Sequence, residues 1–341
     1  MRLTNPFTAG GFDVISMTMA INRVPDVDRF IGTTERMGIF RSMPITTTNF
    51  IVEEQNGVLN LLVSQPRGGP APKNTTAKRK IRNFNVPHFP LEDVIRPEEI
   101  QGIRAFGQEM GVTSEAEVMA RKLAEMRRKH ELTAEWLRIK ALQGIILDGD
   151  ATTLYNLYTE FGISQETQDF DLDDSSTDAN EKCRKVIRHI RTNLKGDVAT
   201  GVHCFCSPTF YDAFIKHASV KEAFKYFNTQ QQLSGDFSGR FTFAGIVFEP
   251  IESSTTSPDG TARKFVDDDY AFAFPTGTQS TFQEVMAPAD FMETVNTPGL
   301  PFYAKQEMMK FNRGTELHTQ MNRLPICTRP EVLVKIGMNI D

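Results

Sequence analysis

Between residues 114 and 148 the apolar positions recur at three- and four-residue spacing. Met119, Leu123, Met126, Leu137, Ala141 and Ile145, with His130, make one seam. The spacing predicts one long helix over 114–148. Ser114 offers an N-cap, and Glu117 three residues on closes a capping box. Asp148-Gly149 offers the stop, because glycine at C′ takes the left-handed conformation cheaply. At 1.5 Å per residue such a helix is about 50 Å long, more than most small domains span. Its first half has only a narrow seam, set against Arg121, Lys122, Glu125, Arg127, Arg128 and Lys129. Its second half adds Trp136, Ile139, Leu142 and Ile146 on another face. The expectation is a rod half exposed in front and buried on more than one side behind. A plain amphipathic helix of an α/β domain is the simpler alternative. A coiled coil is disfavoured, since the heptad does not hold for three repeats.

Period-two patterning leads elsewhere. Asn49–Gln55 and Val58–Ser64 flank Asn56-Gly57, which predicts a hairpin with a two-residue turn. Val58, Leu59, Leu61, Leu62 and Val63 make its second strand apolar on both faces. A two-stranded ribbon is marginal alone in water, so this strand calls for a partner surface. Residues 66–80 form a Pro/Gly/Lys loop, and 81–95 read as extended chain because Pro87 and Pro90 exclude helix. Residues 1–45 mix Phe7, Phe12, Ile15, Met17, Met19 and Ile21 with glycine and proline breaks. They read as an extended arm with a helical turn near Val27–Ile31, too apolar for a disordered tail. Residues 154–158 suggest strand or turn with buried aromatics.

From Asp178 the texture is regular α/β. Asp178 caps a helix with a Cys183, Val186, Ile187, Ile190 and Leu194 stripe, ended by Gly196. Strand 198–206 follows, then a helix opened by Ser207-Pro208, another opened by Ser219 with Glu222, and strands 240–251 and 269–274. Residues 300–341 are largely extended. Pro301, Pro325 and Pro330 put those strands at edges or kink them, and they are expected to return onto the long helix.

Composition narrows the function classes. The chain has 341 residues, 40% apolar and 24% charged, with net charge −5. That is ordinary for a soluble protein and disfavours a dedicated nucleic-acid binder. No apolar run approaches the ~20 residues that span a bilayer, and no signal peptide is expected at the N-terminus. Four cysteines make no disulfide framework, which suggests a reducing compartment. Arg67, Lys73, Lys78, Arg79, Lys80 and Arg82 form a basic run beside Gly68 and Gly69. It reads as a solvated or salt-bridging loop, since no aromatics are interleaved for base stacking.

Catalytic vocabulary is nearly absent. His130-Glu131 begins a zinc-protease pattern, but position 134 is alanine. Asp169, Asp171, Asp173, Asp174 and Asp178 crowd one loop without the spacing of a calcium loop. His203, Cys204 and Cys206 sit on a predicted strand, where the two cysteines share a face and the histidine points away. Cys183 and Cys327 sit in apolar contexts. These residues are read as structure, and no catalytic, cofactor or metal set is assigned.

The order of elements resembles the tailed-phage major capsid proteins of the Hong Kong 97 type, and among them the lambda E-like family. The segments that carry the resemblance are TMAINRVPDV (18–27), QPRGGPAP (65–72), NVPHFPLEDVI (85–95), LTAEWLRIKALQGIILDGD (132–150) and LYNLYTEFGI (154–163). APADFMETVNTPGLPFYAK (287–305) and NRLPICTRPEVLVKI (322–336) extend it along nearly the whole chain. The resemblance implies an α+β fold. It divides into an N-terminal arm (1–45), a projecting E-loop (46–95), a peripheral domain (96–178 and 300–341) and an axial domain (179–299). It implies a shell of hexamers and pentamers around double-stranded DNA, with no enzyme activity and no cofactor. Subunit contacts are expected from Leu59, Leu61, Val63, Arg67, Gly68, Gly69, Lys78, Arg79, Lys80 and Arg82. A chain that opens directly on the arm suggests a separate scaffold; a portal and a decoration protein are further expected partners. The rivals are an encapsulin-type cellular compartment and, more remotely, a hydrolytic enzyme built on the α/β unit.

Overall fold

The computed structural model describes residues 14–23, 33–55, 79–101, 115–221 and 239–339. Helix α1 (Val14–Arg23), the single turn α2 (Thr33–Arg36) and strand β1 (Arg41–Pro44) come first. Strands β2 (Asn49–Gln55), β3 (Arg79–Asn85) and β4 (Phe89–Ile95) precede the long helix α3 (Glu115–Leu142). Then come β5 (Ile145–Leu147), β6 (Thr153–Asn156), α4 (Leu157–Phe161) and β7 (Glu166–Asp169). The α/β stretch holds α5 (Ala179–Asn193), β8 (Gly201–Cys206), α6 (Pro208–Lys216), β9 (Phe241–Phe243) and β10 (Ile246–Pro250). It continues through β11 (Ser254–Thr256), β12 (Ala262–Lys264) and β13 (Tyr270–Thr276). Strands β14 (Phe282–Met286), β15 (Tyr303–Met308), β16 (Thr315–Met321), β17 (Arg323–Cys327) and β18 (Val334–Gly337) complete an α+β fold.

Three larger sheets, with three two-stranded ones beside them, organise the described elements. A six-stranded mixed sheet runs β7-β18-β13-β8-β10-β9. On one of its faces Cys204 and Phe248 lie opposite each other in register, and Phe214 of α6 packs 4.3 Å from Phe248 between ring centroids. The buried stripe of α5, Cys183, Val186 and Ile190, is the one its spacing predicts. On the other face Phe205 and Phe274 pack together, and Phe274 meets Phe282 of β14 edge-on. That contact joins the six-stranded sheet to a three-stranded one, β1-β14-β17. The third sheet, β15-β16-β4, lies against α1 and α3.

Helix α3 keeps the two predicted halves. Val118, Met119, Leu123, Met126 and His130 are the buried stripe in front, whereas every residue from Ala134 to Leu142 is buried behind. Its end differs from the prediction. The helix stops at Leu142, and Gly144 takes the left-handed turn at φ +81°. Residues Ile145–Leu147 then form β5, paired with β6 around Asp148-Gly149. Asp-Gly serves hairpin turns as readily as helix ends, and the β-branched pair Ile145-Ile146 favours the strand. The rod is therefore about 42 Å long. Its predicted N-cap, Ser114, lies outside the described residues. Gly144 has a second constraint: a Cβ there would sit 2.5 Å from two ring carbons and the hydroxyl oxygen of Tyr158. Gly144→Ala is expected to lower stability by about 1–3 kcal/mol, read as a lower urea midpoint with unchanged slope.

Other expectations are revised. Strand 49–55 pairs with 79–85 across all seven residues; the expected hairpin partner 58–64 lies outside the described residues with the Asn56-Gly57 turn. Residues 14–23 form a helix with Met17 and Ile21 buried. The expected turn at Val27–Ile31 is outside the described residues. The single strand expected over 240–251 is a hairpin, since Ala244 and Gly245 both adopt positive φ. Of the strand or turn expected over 154–158, the first part is strand β6, after which Asn156 caps a short helix, α4. The helix expected from Ser219 falls mainly beyond Lys221, outside the described residues; the Ser219 hydroxyl instead meets His217 and the Ala179 amide. Strands β16 and β17 return onto α3 as expected, but β18 enters the six-stranded sheet between β7 and β13.

Candidate functional site

The β2–β3 ribbon has two unlike faces, because alternate residues point to opposite sides. Phe50, Val52 and Phe84 point to one side and are buried. Ile51 and Ile81 point to the other and are 56% and 66% exposed. Single exposed aliphatics are normal on a surface. Two on the same face of a ribbon that is two-stranded among the described residues are a different matter, since such a ribbon is marginal without a second surface. The period-two signal in NFIVEEQ carries this face, but the sequence reading placed the apolar strand at 58–64 and passed over Ile51 and Ile81.

The buried face is fastened to the ribbon's own subunit. Phe84 meets the Tyr155 ring at 5.2 Å and the Phe161 ring at 6.5 Å. The Tyr155 hydroxyl accepts the Asn85 amide hydrogen at 2.8 Å and donates to the Asn85 carbonyl at 3.0 Å. Arg82 lies 4.3 Å over the Phe161 ring and donates to the Glu160 carbonyl at 2.9 Å. It was expected among the subunit-contact residues, and it is half-buried on its own chain. Of the others, Arg79 and Lys80 belong to β3 by their backbone. Leu59, Leu61, Val63, Arg67, Gly68, Gly69 and Lys78 lie outside the described residues.

A buried charge network ties α2 and α3 to the β1-β14-β17 sheet. Arg138 grips Glu284 with two bonds, Nε to Oε1 at 3.0 Å and Nη2 to Oε2 at 2.9 Å. Arg323 approaches the same carboxylate at 3.5 Å, donates to the Pro301 carbonyl and stacks on Phe302. Glu135, fully buried, accepts both the amide and the hydroxyl of Thr34 and lies 3.6 Å from Arg138. Glu35 reaches Arg138 at 3.1 Å from the rim. Two buried cations thus face two buried anions, the condition under which buried charge is tolerated. Burial raises the Glu284 carboxyl, yet Arg323 and Arg138 together outweigh it and hold Glu284 below the usual carboxylate range. Burial pushes Glu135 up, against the bonds from Thr34. None of this was legible as a site, because Glu284, Arg138 and Arg323 are far apart in sequence.

His203, the cysteines and the acidic loop make their contacts within the chain. His203 bonds Glu249 at 2.9 Å, with Arg240 3.4 Å from the same oxygen. Cys204 and Cys206 face the same side, their sulfurs 3.9 Å apart, and all four cysteines are buried. In the acidic loop Asp171 pairs with Lys182, while Asp174 bonds the amide and hydroxyl of Ser176. Among the described residues no three His, Cys, Asp or Glu side chains are grouped to hold a metal ion. No helix of the described residues is long and apolar enough to cross a membrane.

Comparison with known proteins gives these features a context. Residues 13–338 match the family model described as phage major capsid protein E. The major capsid protein of Pseudomonas phage KPP10 is 30% identical, over 97% of this chain and 98% of that one. The major capsid protein of Salmonella phage Felix O1 is 26% identical, over 95% and 96%. Among solved structures, a prophage protein of E. coli CFT073 described as a capsid protein superposes with a TM-score of 0.58 at 13% identity, covering 96% of this chain and 99% of that one. The capsid of an empty GTA particle gives 0.52 at 7% identity, covering 93% of each.

Proposed function

This chain belongs to the phage major capsid protein E family, whose members are structural subunits of the virion shell, and from that premise we propose how its subunits join. They form hexamers and pentamers of an icosahedral lattice that encloses double-stranded DNA. The β2–β3 ribbon and the loop between its strands act as the E-loop and lie across a neighbouring subunit. The observation that carries this reading is the ribbon's second face. Ile51 and Ile81 remain exposed after the subunit has covered the first, and an adjacent copy supplies the missing cover.

The domain reading follows the same logic. Residues 1–45 act as the arm, with α2 bonded to α3 through Thr34 and Glu35. Residues 96–178 and 300–341 act as the peripheral domain around α3, and 179–299 as the axial domain. A separate scaffold, a portal and a decoration protein complete the assembly, which takes place in the host cytoplasm. The net charge of −5 favours weak, non-specific contact with packaged DNA, since strong binding needs phosphate neutralisation by clustered cations.

The test is assembly itself. Purified subunit, with its scaffold, is expected to form large regular particles visible by negative stain. Ile51→Asp with Ile81→Asp is expected to leave a folded, soluble subunit, since both side chains are exposed, and to abolish particle formation. Wild-type subunit that stays monomeric or dimeric with scaffold present would overturn the reading. Normal shells from the double variant would overturn the ribbon's part in it.

A further inference from the structure

The contacts at the foot of the ribbon carry more than stability. Resting on the shell reading above, we propose that Arg82, Phe84 and Tyr155 are positioning residues: a clamp that fixes the angle at which the ribbon leaves its subunit, and through it the geometry of the shell.

The clamp has a fixed jaw and a held arm. The fixed jaw is β6 and α4, the source of Tyr155, the Phe161 ring and the Glu160 carbonyl. It is hitched to the end of the long helix. The Leu157 amide donates to the Gly144 carbonyl at 2.9 Å, and the Tyr158 hydroxyl donates to the Gln143 carbonyl at 3.1 Å. The held arm is the inner end of β3. Tyr155 engages both backbone groups of Asn85 through one hydroxyl, so it fixes backbone as well as a side chain. Arg82, three residues nearer the tip, has its planar group laid on Phe161 while its Nε reaches the helix-end carbonyl. Two attachments three residues apart define a direction, where one would act as a pivot. Phe84, fully buried between them against Tyr155 and Phe161, blocks rotation about the strand.

Lever length makes this direction matter. Seven paired residues extend ~23 Å, so a ~10° swing at the foot moves the far end by ~4 Å. A packed interface does not absorb that displacement. The angle is therefore set inside each subunit before its neighbour arrives. Because the fixed jaw is hitched to α3, a change in the direction of the long helix is passed to the ribbon.

The experiment uses the full chain carrying Arg82→Gln with Tyr155→Phe. The second change keeps the ring that packs on Phe84 and removes only the hydroxyl. Spin labels on Ile81→Cys and Arg128→Cys report the distance between ribbon and long helix in the soluble subunit; the native cysteines are buried. Unlabelled wild-type and variant subunits are assembled and their diameters measured by electron microscopy. The detached-ribbon population is expected to rise on the order of tenfold, broadening the distance distribution, while circular dichroism stays as in wild type. Assembled variant is expected to give particles of mixed diameter. An unchanged distance distribution would overturn the clamp. A broadened distribution with uniform, wild-type particles would overturn its control of shell geometry. Wild-type subunit that forms no particles would sink the shell reading instead, and the subunit distances would still decide whether the clamp exists.

Discussion

Replacing Glu284 with alanine is expected to lower the unfolding free energy of the soluble subunit by about 3–5 kcal/mol, the usual cost of removing one partner from a buried ion pair. Among the described residues, Glu284 is the only carboxylate that both Arg138 and Arg323 touch within 3.5 Å. Without it two guanidinium groups, each about 5% exposed in its side chain, face each other with only Glu135 and the rim carboxylate Glu35, both on the Arg138 side, to balance them. The lost side chain adds a small cavity term in the same direction. Glu284→Gln keeps the volume and an acceptor oxygen but not the charge, so a smaller loss is expected. Equilibrium urea unfolding of the two variants checks both statements. A Glu284→Ala subunit within about 1 kcal/mol of wild type would mean that the network is solvated and not a buried pair. A loss for glutamine as large as that for alanine would mean that shape matters more than charge.

The second large effect is a pH dependence traced to His130. Its Nε2 lies 2.9 Å from the Thr319 hydroxyl, inside the packing between α3 and β16. Burial pushes its pKa down to about 4, with the charges of Arg323 and His318 acting the same way. The folded protein therefore keeps His130 neutral, while the unfolded chain protonates it near 6.5. As pH falls below 6.5 the unfolded state takes up the proton first. The contribution is fully present above 6.5, shrinks as pH falls, and is gone by about 4. The total is about 3 kcal/mol, of which about 2 is lost by pH 5. His130→Gln removes the titration and keeps a group able to bond Thr319. The difference in unfolding free energy between pH 7 and pH 5 is expected to be about 2 kcal/mol smaller in the variant. An identical difference in wild type and variant would show that His130 is protonated or solvent-linked in the fold.

What the sequence disclosed follows from the range of the interactions involved. The stripe of α5, the Ser207-Pro208 start of α6 and the two halves of α3 were legible because each depends on neighbours three or four residues away. The stop of α3 was misread because Gln143-Gly144 and Asp148-Gly149 are both good local stops. Tertiary packing of Tyr158 on Gly144 decided between them. The pairing of β2 with 79–85 was not legible, because it places Phe84 opposite Phe50 and depends on the aromatic seat that Tyr155 and Phe161 offer Phe84 from far along the chain. The charge network was beyond reach, since its members are spread from Thr34 to Arg323. At the candidate site, the sequence reading placed the strand in search of a partner at 58–64 and passed over Ile51 and Ile81, because their exposure depends on which face of the ribbon the subunit itself covers.

Strand β18 has a bearing on synthesis. It is an interior strand of the six-stranded sheet, and its neighbours β7 and β13 come from residues 166–169 and 270–276. Until translation passes Gly337, β7 has no sheet to join and β13 lacks one of its two partners. A chain stalled or cleaved before that point exposes unpaired strand edges, which are prone to aggregate and open to degradation. Only a polypeptide translated past residue 337 can close this sheet. The fold thus carries its own check on the integrity of each copy before that copy is counted into a structure made of many.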